Sequence, residues 1–194
     1  MEPTERYLDD CIWLYRAYFS PKRSQQIYPT LQEEIEWLHR YYDNPDGRRV
    51  YLPRLTANYG DFSYDYSGLR FTPKPWTPLL RELKTDAEQL AQQTFNSLIL
   101  QQYRDGQDGV NWHSDSDPAV GLNPTLVSMS FGATRSFWLR AKAQKEPRTE
   151  LQLHSGDVLI MRRDLQHTHV HKVPKEDVRE ARINLTFRHI RSAS

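Results

Sequence analysis

The chain has 194 residues, enough for one domain whose core needs no covalent staple. Hydrophobic residues make up 38% and aromatics 12%, which excludes a disordered chain despite a mean hydropathy of −0.80. A formal charge of +1 excludes a global basic field, and the single cysteine, Cys11, excludes a disulfide framework and a cysteine-based zinc site.

The opening MEPTERYLDD is acidic and has no apolar signal core, so a reducing compartment is expected. With no Lys/Arg-rich tract, that compartment is taken as a bacterial cytoplasm, or the nucleus if the source is eukaryotic. No run approaches about 18 apolar residues, so no membrane span is expected. Thr30 with Glu33 reads as a capping box. Leu31, Ile35, Leu38 and Tyr42 follow at helical spacing and predict a helix over 31–43. Residues 50–72 read as short, Tyr-rich strands broken by Pro, Gly and Asp. They lie in a segment, 48–84, of net charge +4, and 162–194 is also net +4. The two can share one face toward a phosphate backbone, or simply scatter over a solvated surface. A second helix starts at Thr77, with Pro78 at its first position and Leu79, Leu80, Leu83, Ala87, Leu90 and Ala91 as its apolar stripe.

After residue 95 the period changes to two. Strands are predicted at 97–103, 110–115, 124–131, 134–141, 150–154, 157–162, 169–173 and 181–190. The fold class is α+β, mainly β: a sandwich or jelly roll with N-terminal helices against one side. One domain is expected over 1–194, with an extension at 1–95 and a core at 96–190. Trp76 and Trp138 are assigned to the core, and Cys11 is a small apolar residue.

Chemistry concentrates in two places. His113 and Asp115 are two apart on a predicted strand, so both reach one ion. Alone, such a pair is as often an ordinary hydrogen-bonded surface pair. A third imidazole completes two histidines and one carboxylate, the set of non-haem Fe(II) oxygenases with open positions. His167, His169 and His171 are the candidates. Downstream, Arg182, Asn184, Thr186 and Arg188 share one strand face, opposite Ile183, Leu185 and Phe187. Two arginines on one face suit a dicarboxylate, because guanidinium pairs bidentately with carboxylate. A polar edge strand gives the same pattern.

The stretches FNSLILQQYRDGQDGVNWHSDSD, SMSFGATRSFWLR, GDVLIM, HKVP and RINLTFR resemble the AlkB family of Fe(II)/2-oxoglutarate dioxygenases, closest to its DNA repair branch. Upstream, PRLTANYGDFSYDYSG resembles that family's nucleotide-recognition lid, at about 50–72. The resemblance covers roughly 50–190. It implies a double-stranded β-helix and oxidative demethylation of N-alkylated bases, 1-methyladenine and 3-methylcytosine, in DNA, with RNA as the second candidate. Fe(II), 2-oxoglutarate and O2 are implied as cofactors, with formaldehyde, succinate and CO2 as products. His113, Asp115 and His171 are implied as iron ligands; His171 is chosen because Lys-Val-Pro follows it, and His169 is its rival. Arg182 is implied to hold the distal carboxylate of 2-oxoglutarate, with Tyr103 and Asn184, and Arg188 to lie at the chelating end. Gln101 stands where the family has Asn, one methylene shorter. Tyr64 and Tyr66 match lid aromatics flanking a flipped-out base, with Tyr66 as the stacking ring and His113 opposite. Asp117 is implied to lie beside the base. Arg54 and Arg70 can neutralise phosphates or equally be plain surface charges. The partner is therefore an alkylated nucleic acid met by a monomer. Other readings keep the cofactors on RNA, protein or lipid, or leave a silent nucleic-acid binder.

Overall fold

The computed structural model describes residues 1–61, 63–66, 69–116, 121–144, 146 and 148–191, with 64–66 and 69–71 described as backbone only. The elements in chain order are β1 (Glu5–Tyr7), β2 (Ile12–Tyr15), α1 (Pro21–Glu34), β3 (Tyr41–Asp43), β4 (Arg49–Tyr51), β5 (Leu55–Gly60), β6 (Tyr64–Tyr66), β7 (Leu69–Phe71) and α2 (Pro78–Ala91). They continue with β8 (Ser97–Tyr103), β9 (Val110–His113), β10 (Leu126–Gly132), β11 (Arg135–Ala141), β12 (Thr149–Leu153), β13 (Val158–Met161), α3 (Leu165–Thr168), β14 (His169–Val173) and β15 (Arg182–Arg188). A seven-stranded sheet has the order β1-β2-β13-β10-β15-β8-β5, and a four-stranded sheet the order β12-β11-β14-β9. This is a jelly roll. The N-terminal β1, β2 and β5 belong to its large sheet. No helix among the described residues is long and apolar enough to cross a membrane.

Period-two alternation assigns each face of the large sheet. Leu98 and Leu100 of β8, Val127, Met129 and Phe131 of β10, and Ile183, Leu185 and Phe187 of β15 share a core with both long helices. The opposite faces point between the sheets. There Ile12, Leu14, Leu159 and Met161 pack against Phe137, Leu139, Leu151 and Leu153 of the small sheet. At the β8–β15 end the inner face turns polar. Tyr103, Arg182, Asn184, Arg188, Ser128 and Ser130 are all buried there.

Helix α2 starts as its sequence dictates. The Thr77 hydroxyl accepts from the Leu80 N–H at 3.3 Å, and Leu80, Leu83 and Ala87 are fully buried. Helix α1 corrects the prediction over 31–43. It runs ten residues earlier, capped by Ser20, whose hydroxyl accepts from the Arg23 N–H at 3.2 Å, with Pro21 leading. Pro29 lies inside it, and the Thr30 hydroxyl donates to the Gln26 carbonyl instead of capping. Ile35 is extended, and residues 41–43 pair with 49–51 as a hairpin. Leu38 and Tyr42, assigned to the buried stripe, are about half exposed at 50% and 51%.

Trp76 is core, stacked on Phe187. Trp138 is not. It lies half-buried on the outer face of the small sheet, with the Arg148 guanidinium 4.0 Å and the Lys172 ammonium 5.0 Å from its ring. Position decides this: Phe137 and Leu139 on either side take the inward face, so Trp138 points out and covers itself with cations.

Arg135 fastens the loops behind the polar face. It is 1% exposed and donates to Glu176, at 2.6 Å, and to the carbonyls of Asp105, Asp108 and Pro174. Glu176 also accepts from the Ser136 N–H and hydroxyl. The guanidinium holds the Glu176 carboxyl below its ordinary range against the opposing effect of burial. The loops approach so closely that a Cβ on Gly106 would stand 1.8 Å from the Glu176 carbonyl oxygen. Arg135→Met strips a buried ion pair and three carbonyl partners, and is expected to cost about 3–5 kcal/mol in urea unfolding. A loss below about 1 kcal/mol contradicts this role.

Candidate active site

The small sheet sets two imidazoles against each other. His113 closes β9 and His171 sits within β14, and the two are register partners with ring centroids 4.3 Å apart. Asp115, two residues past the strand end, brings its Oδ2 to 3.6 Å from His171 Nε2. One ligand atom from each of the three lies within 4.8 Å of the others. His113 Nδ1 is 2.8 Å from the Asn111 carbonyl, which only accepts, so this nitrogen donates and Nε2 is the atom left for a cation. Burial, reinforced by His113 and Arg188 and opposed by Asp115, pushes His171 down to about 3, so it is neutral at working pH. The His171 ring is thus in the ligand state a cation needs.

The other two late histidines stay outside the cluster. His169 Nδ1 meets the Thr168 hydroxyl at 2.9 Å, and His167 Nε2 accepts from the Asn123 N–H at 3.4 Å. Of the three late histidines, only His171 joins the cluster.

The large sheet supplies the facing wall. Arg188 donates to Asp115 Oδ1 at 2.5 Å, leaving Oδ2 on the His171 side. Arg182, 2% exposed, donates to the Ser130 hydroxyl at 2.9 Å. Its Nε and Nη1 are buried without a hydrogen-bond partner among the described residues. Burial lowers its pKa, with the Arg135 charge acting in the same direction. Tyr103 lies beneath this guanidinium, 5.3 Å from ring centre to carbon, and its hydroxyl donates to Gln101 Oε1 at 2.7 Å. Asn184 donates to the Ser128 hydroxyl and the Met129 carbonyl. Gln101 is the register partner of Asn184.

Two recesses meet at this wall. The inner one lies between the sheets, with Tyr103, Arg182, Asn184 and the metal-type cluster on its walls. The outer one, about 480 Å³, opens over His113 and is bounded by Arg54, Tyr51, Asn58 and Trp112. Gln101, His113, Asp115 and Arg188 line both. Arg54 is thus a half-buried wall residue donating to the Gly109 carbonyl at 3.3 Å. The side chains of Tyr64, Tyr66 and Arg70, and the whole of Asp117, lie outside the described residues; the backbones of Tyr64 and Tyr66 pair with Phe71 and Leu69.

The donor set, two imidazoles and one carboxylate on one side, fits Fe(II) with open positions. The orphaned donors of Arg182 fit a carboxylate. Sequence reasoning missed Ser128, Ser130 and Gln166. The serines alternate inward along β10, a legible signal. Gln166 acts through a backbone group, which no pattern shows.

Residues 12–188 match the family described as the 2OG-Fe(II) oxygenase superfamily. The chain is 40% identical over 187 residues to alpha-ketoglutarate-dependent dioxygenase alkB homolog 3 of Homo sapiens, covering 91% of this chain and 65% of that one. It is 33% identical over 188 residues to DNA oxidative demethylase ALKBH2 of Mus musculus, covering 91% of this chain and 79% of that one. The chain belongs to the AlkB family of 2OG-Fe(II) oxygenases. It spans just under two thirds of the human alkB homolog 3 it matches. The solved structure of OsALKBH1 shares the fold, with a TM-score of 0.68 and 18% identity, covering 95% of this chain and 99% of that one.

Proposed function

We propose that this AlkB-family chain is an Fe(II)- and 2-oxoglutarate-dependent dioxygenase that demethylates 1-methyladenine and 3-methylcytosine in DNA, with RNA as the second candidate substrate. One observation carries the reading: the His113–Asp115–His171 cluster lies between a buried, under-satisfied arginine and an open recess large enough for a base. When bound, Fe(II) with 2-oxoglutarate and O2 supplies oxidation of the N-methyl group, leaving succinate, CO2 and a hydroxymethyl group lost as formaldehyde.

The chain's own residues bind and orient. Arg182 takes the distal carboxylate of the cosubstrate, with Tyr103 packed against the guanidinium. Asn184 and Gln101 line the path between the two carboxylates. Arg188 neutralises the Asp115 carboxylate and keeps one of its oxygens from the cation. His113, Asp115 and His171 hold Fe(II). The outer recess takes the base after it leaves the stack. From the sequence resemblance, Tyr66 stacks on that base, Tyr64 flanks it, Asp117 accepts from its exocyclic amino group, and Arg54 favours its phosphates. One chain supplies every one of these groups, so the monomer is assigned as the active unit.

The test is a short single-stranded DNA with one 1-methyladenine, incubated with Fe(II) and 2-oxoglutarate and then opened to O2. Mass spectrometry is expected to show loss of one CH2 equivalent, matched by succinate. Succinate without demethylation transfers the reading to another substrate. Neither product, with no metal bound, leaves a silent binder.

A further inference from the structure

Asp115 is the one member of the cluster that no strand holds. Strand β9 ends at His113, and residues 114–116 continue as irregular chain. A carboxylate on a loop reaches a cation reproducibly only if its backbone is fixed. We propose that Gln166 fixes it, as the positioning residue of the metal centre; the inference rests on the reading of the cluster as a metal site.

The geometry is specific. Gln166 Oε1 accepts from the Asp115 N–H at 2.8 Å, with the two residues 1% and 3% exposed. The amide is oriented from its other end, where Nε2 donates to the Met161 sulfur at 3.6 Å. Turning the amide over would set its NH2 against the Asp115 N–H, donor on donor. Gln166 itself is anchored. Lys142 Nζ donates to its carbonyl at 2.9 Å, and the Lys142 N–H donates to the Thr168 carbonyl at 2.8 Å. Helix α3, which carries Gln166, is therefore tied to the end of β11.

Asp115 is thus gripped twice. Gln166 holds its backbone from the connection that joins the sheets, and Arg188 holds Oδ1 from the large sheet. With both ends fixed, Oδ2 is left toward His171. Loss of the Gln166 grip frees residues 114–116 to pivot and moves Oδ2 off the cation. Partners that orient ligands in this way change metal affinity by about 10–100-fold. A glutamine that only satisfied a buried N–H would change stability and leave affinity alone.

The experiment measures Mn(II) binding by calorimetry, with the metal-free melting temperature recorded in parallel. Gln166→Met keeps the volume and loses the oxygen. Gln166→Asn keeps the amide one methylene short, and stands in if the Met variant does not fold. Gln166→Glu keeps an acceptor at full reach. Expected are a Kd for Mn(II) raised about 10–100-fold in the Met and Asn variants, and a Kd within about threefold of wild type for Gln166→Glu. The proposal is overturned if the Met or Asn variant binds Mn(II) as wild type does, whatever its melting temperature. It is also overturned if Gln166→Glu weakens binding as much as Gln166→Met. Failure of the wild-type protein to bind Mn(II) instead removes the metal-site reading itself.

Discussion

Replacing His113 by alanine will remove turnover from a protein that still folds. His113 is half-buried, and its ring meets the Asn111 carbonyl and lies edge-to-face with His171, so truncation costs little stability. The metal's contribution is several kcal/mol of barrier, and each 1.36 kcal/mol is tenfold, so succinate formation should fall at least about 10³-fold. Asp115 needs a subtler change. Alanine there removes the carboxylate that faces buried Arg188, and breaking such a pair costs about 3–5 kcal/mol of stability. Asp115→Asn keeps an oxygen for Arg188 and the N–H for Gln166, and loses the anionic ligand. Both His113→Ala and Asp115→Asn should bind Mn(II) far more weakly in calorimetry, with wild-type circular dichroism. Appreciable succinate from either variant sinks the ligand assignment.

Arg182→Met should move affinity and stability in opposite directions. The guanidinium is buried with two donor nitrogens unmatched among the described residues, and burial already lowers its pKa. A cation held this way is a cost to the cosubstrate-free protein. Replacing buried charge by a packed apolar side chain is often neutral or stabilising by about 1–4 kcal/mol. The metal-free variant should therefore melt at or above the wild-type temperature. Its affinity for 2-oxoglutarate should fall, because the distal carboxylate then enters a site with no counter-charge. Leaving a buried charge unpaired costs about 3–5 kcal/mol, which is about 10²–10⁴-fold in Kd. A variant that loses both stability and affinity would make Arg182 a structural residue. One that keeps its affinity would move the carboxylate elsewhere.

Much of this was legible because strands announce themselves by period two. The alternation through Arg182–Arg188 separates Arg182, Asn184, Thr186 and Arg188 from Ile183, Leu185 and Phe187, and the structure keeps that division, with the apolar face against the helices. Thr77 and Pro78 foretold the start of α2 because a cap is a local hydrogen bond. The first helix was misread for a related reason. Ser20-Pro21 is also a start signal, but Thr30 lies nearer a regular apolar spacing, and Pro29 reads as a break. Tertiary burial of Ile27 and Leu31 instead carries the helix across that proline. The third imidazole shows the limit more sharply. His169 and His171 share a strand face, so spacing alone does not choose between them. What chooses is the pairing of β14 with β9, which places His171 opposite His113. Gln166 lies beyond any pattern, since its partner is a main-chain N–H 51 positions away.

The strand order has a consequence for how the protein is made. β15, residues 182–188, is not at an edge; it lies between β10 and β8, holding together strands that begin 85 and 56 residues before it. Until that segment emerges from the ribosome, the two parts of the sheet, β1-β2-β13-β10 and β8-β5, lack the strand that joins them. Long-range pairing of this kind is slow, and unpaired edges invite association with other chains. Their edge strands carry apolar faces, Leu98 and Leu100 on one and Val127, Met129 and Phe131 on the other. Arrival of β15 closes the gap and delivers Arg182 and Arg188 in the same event. Assembly of the barrel and arming of its chemistry are therefore one step, and a chain stalled short of it has neither.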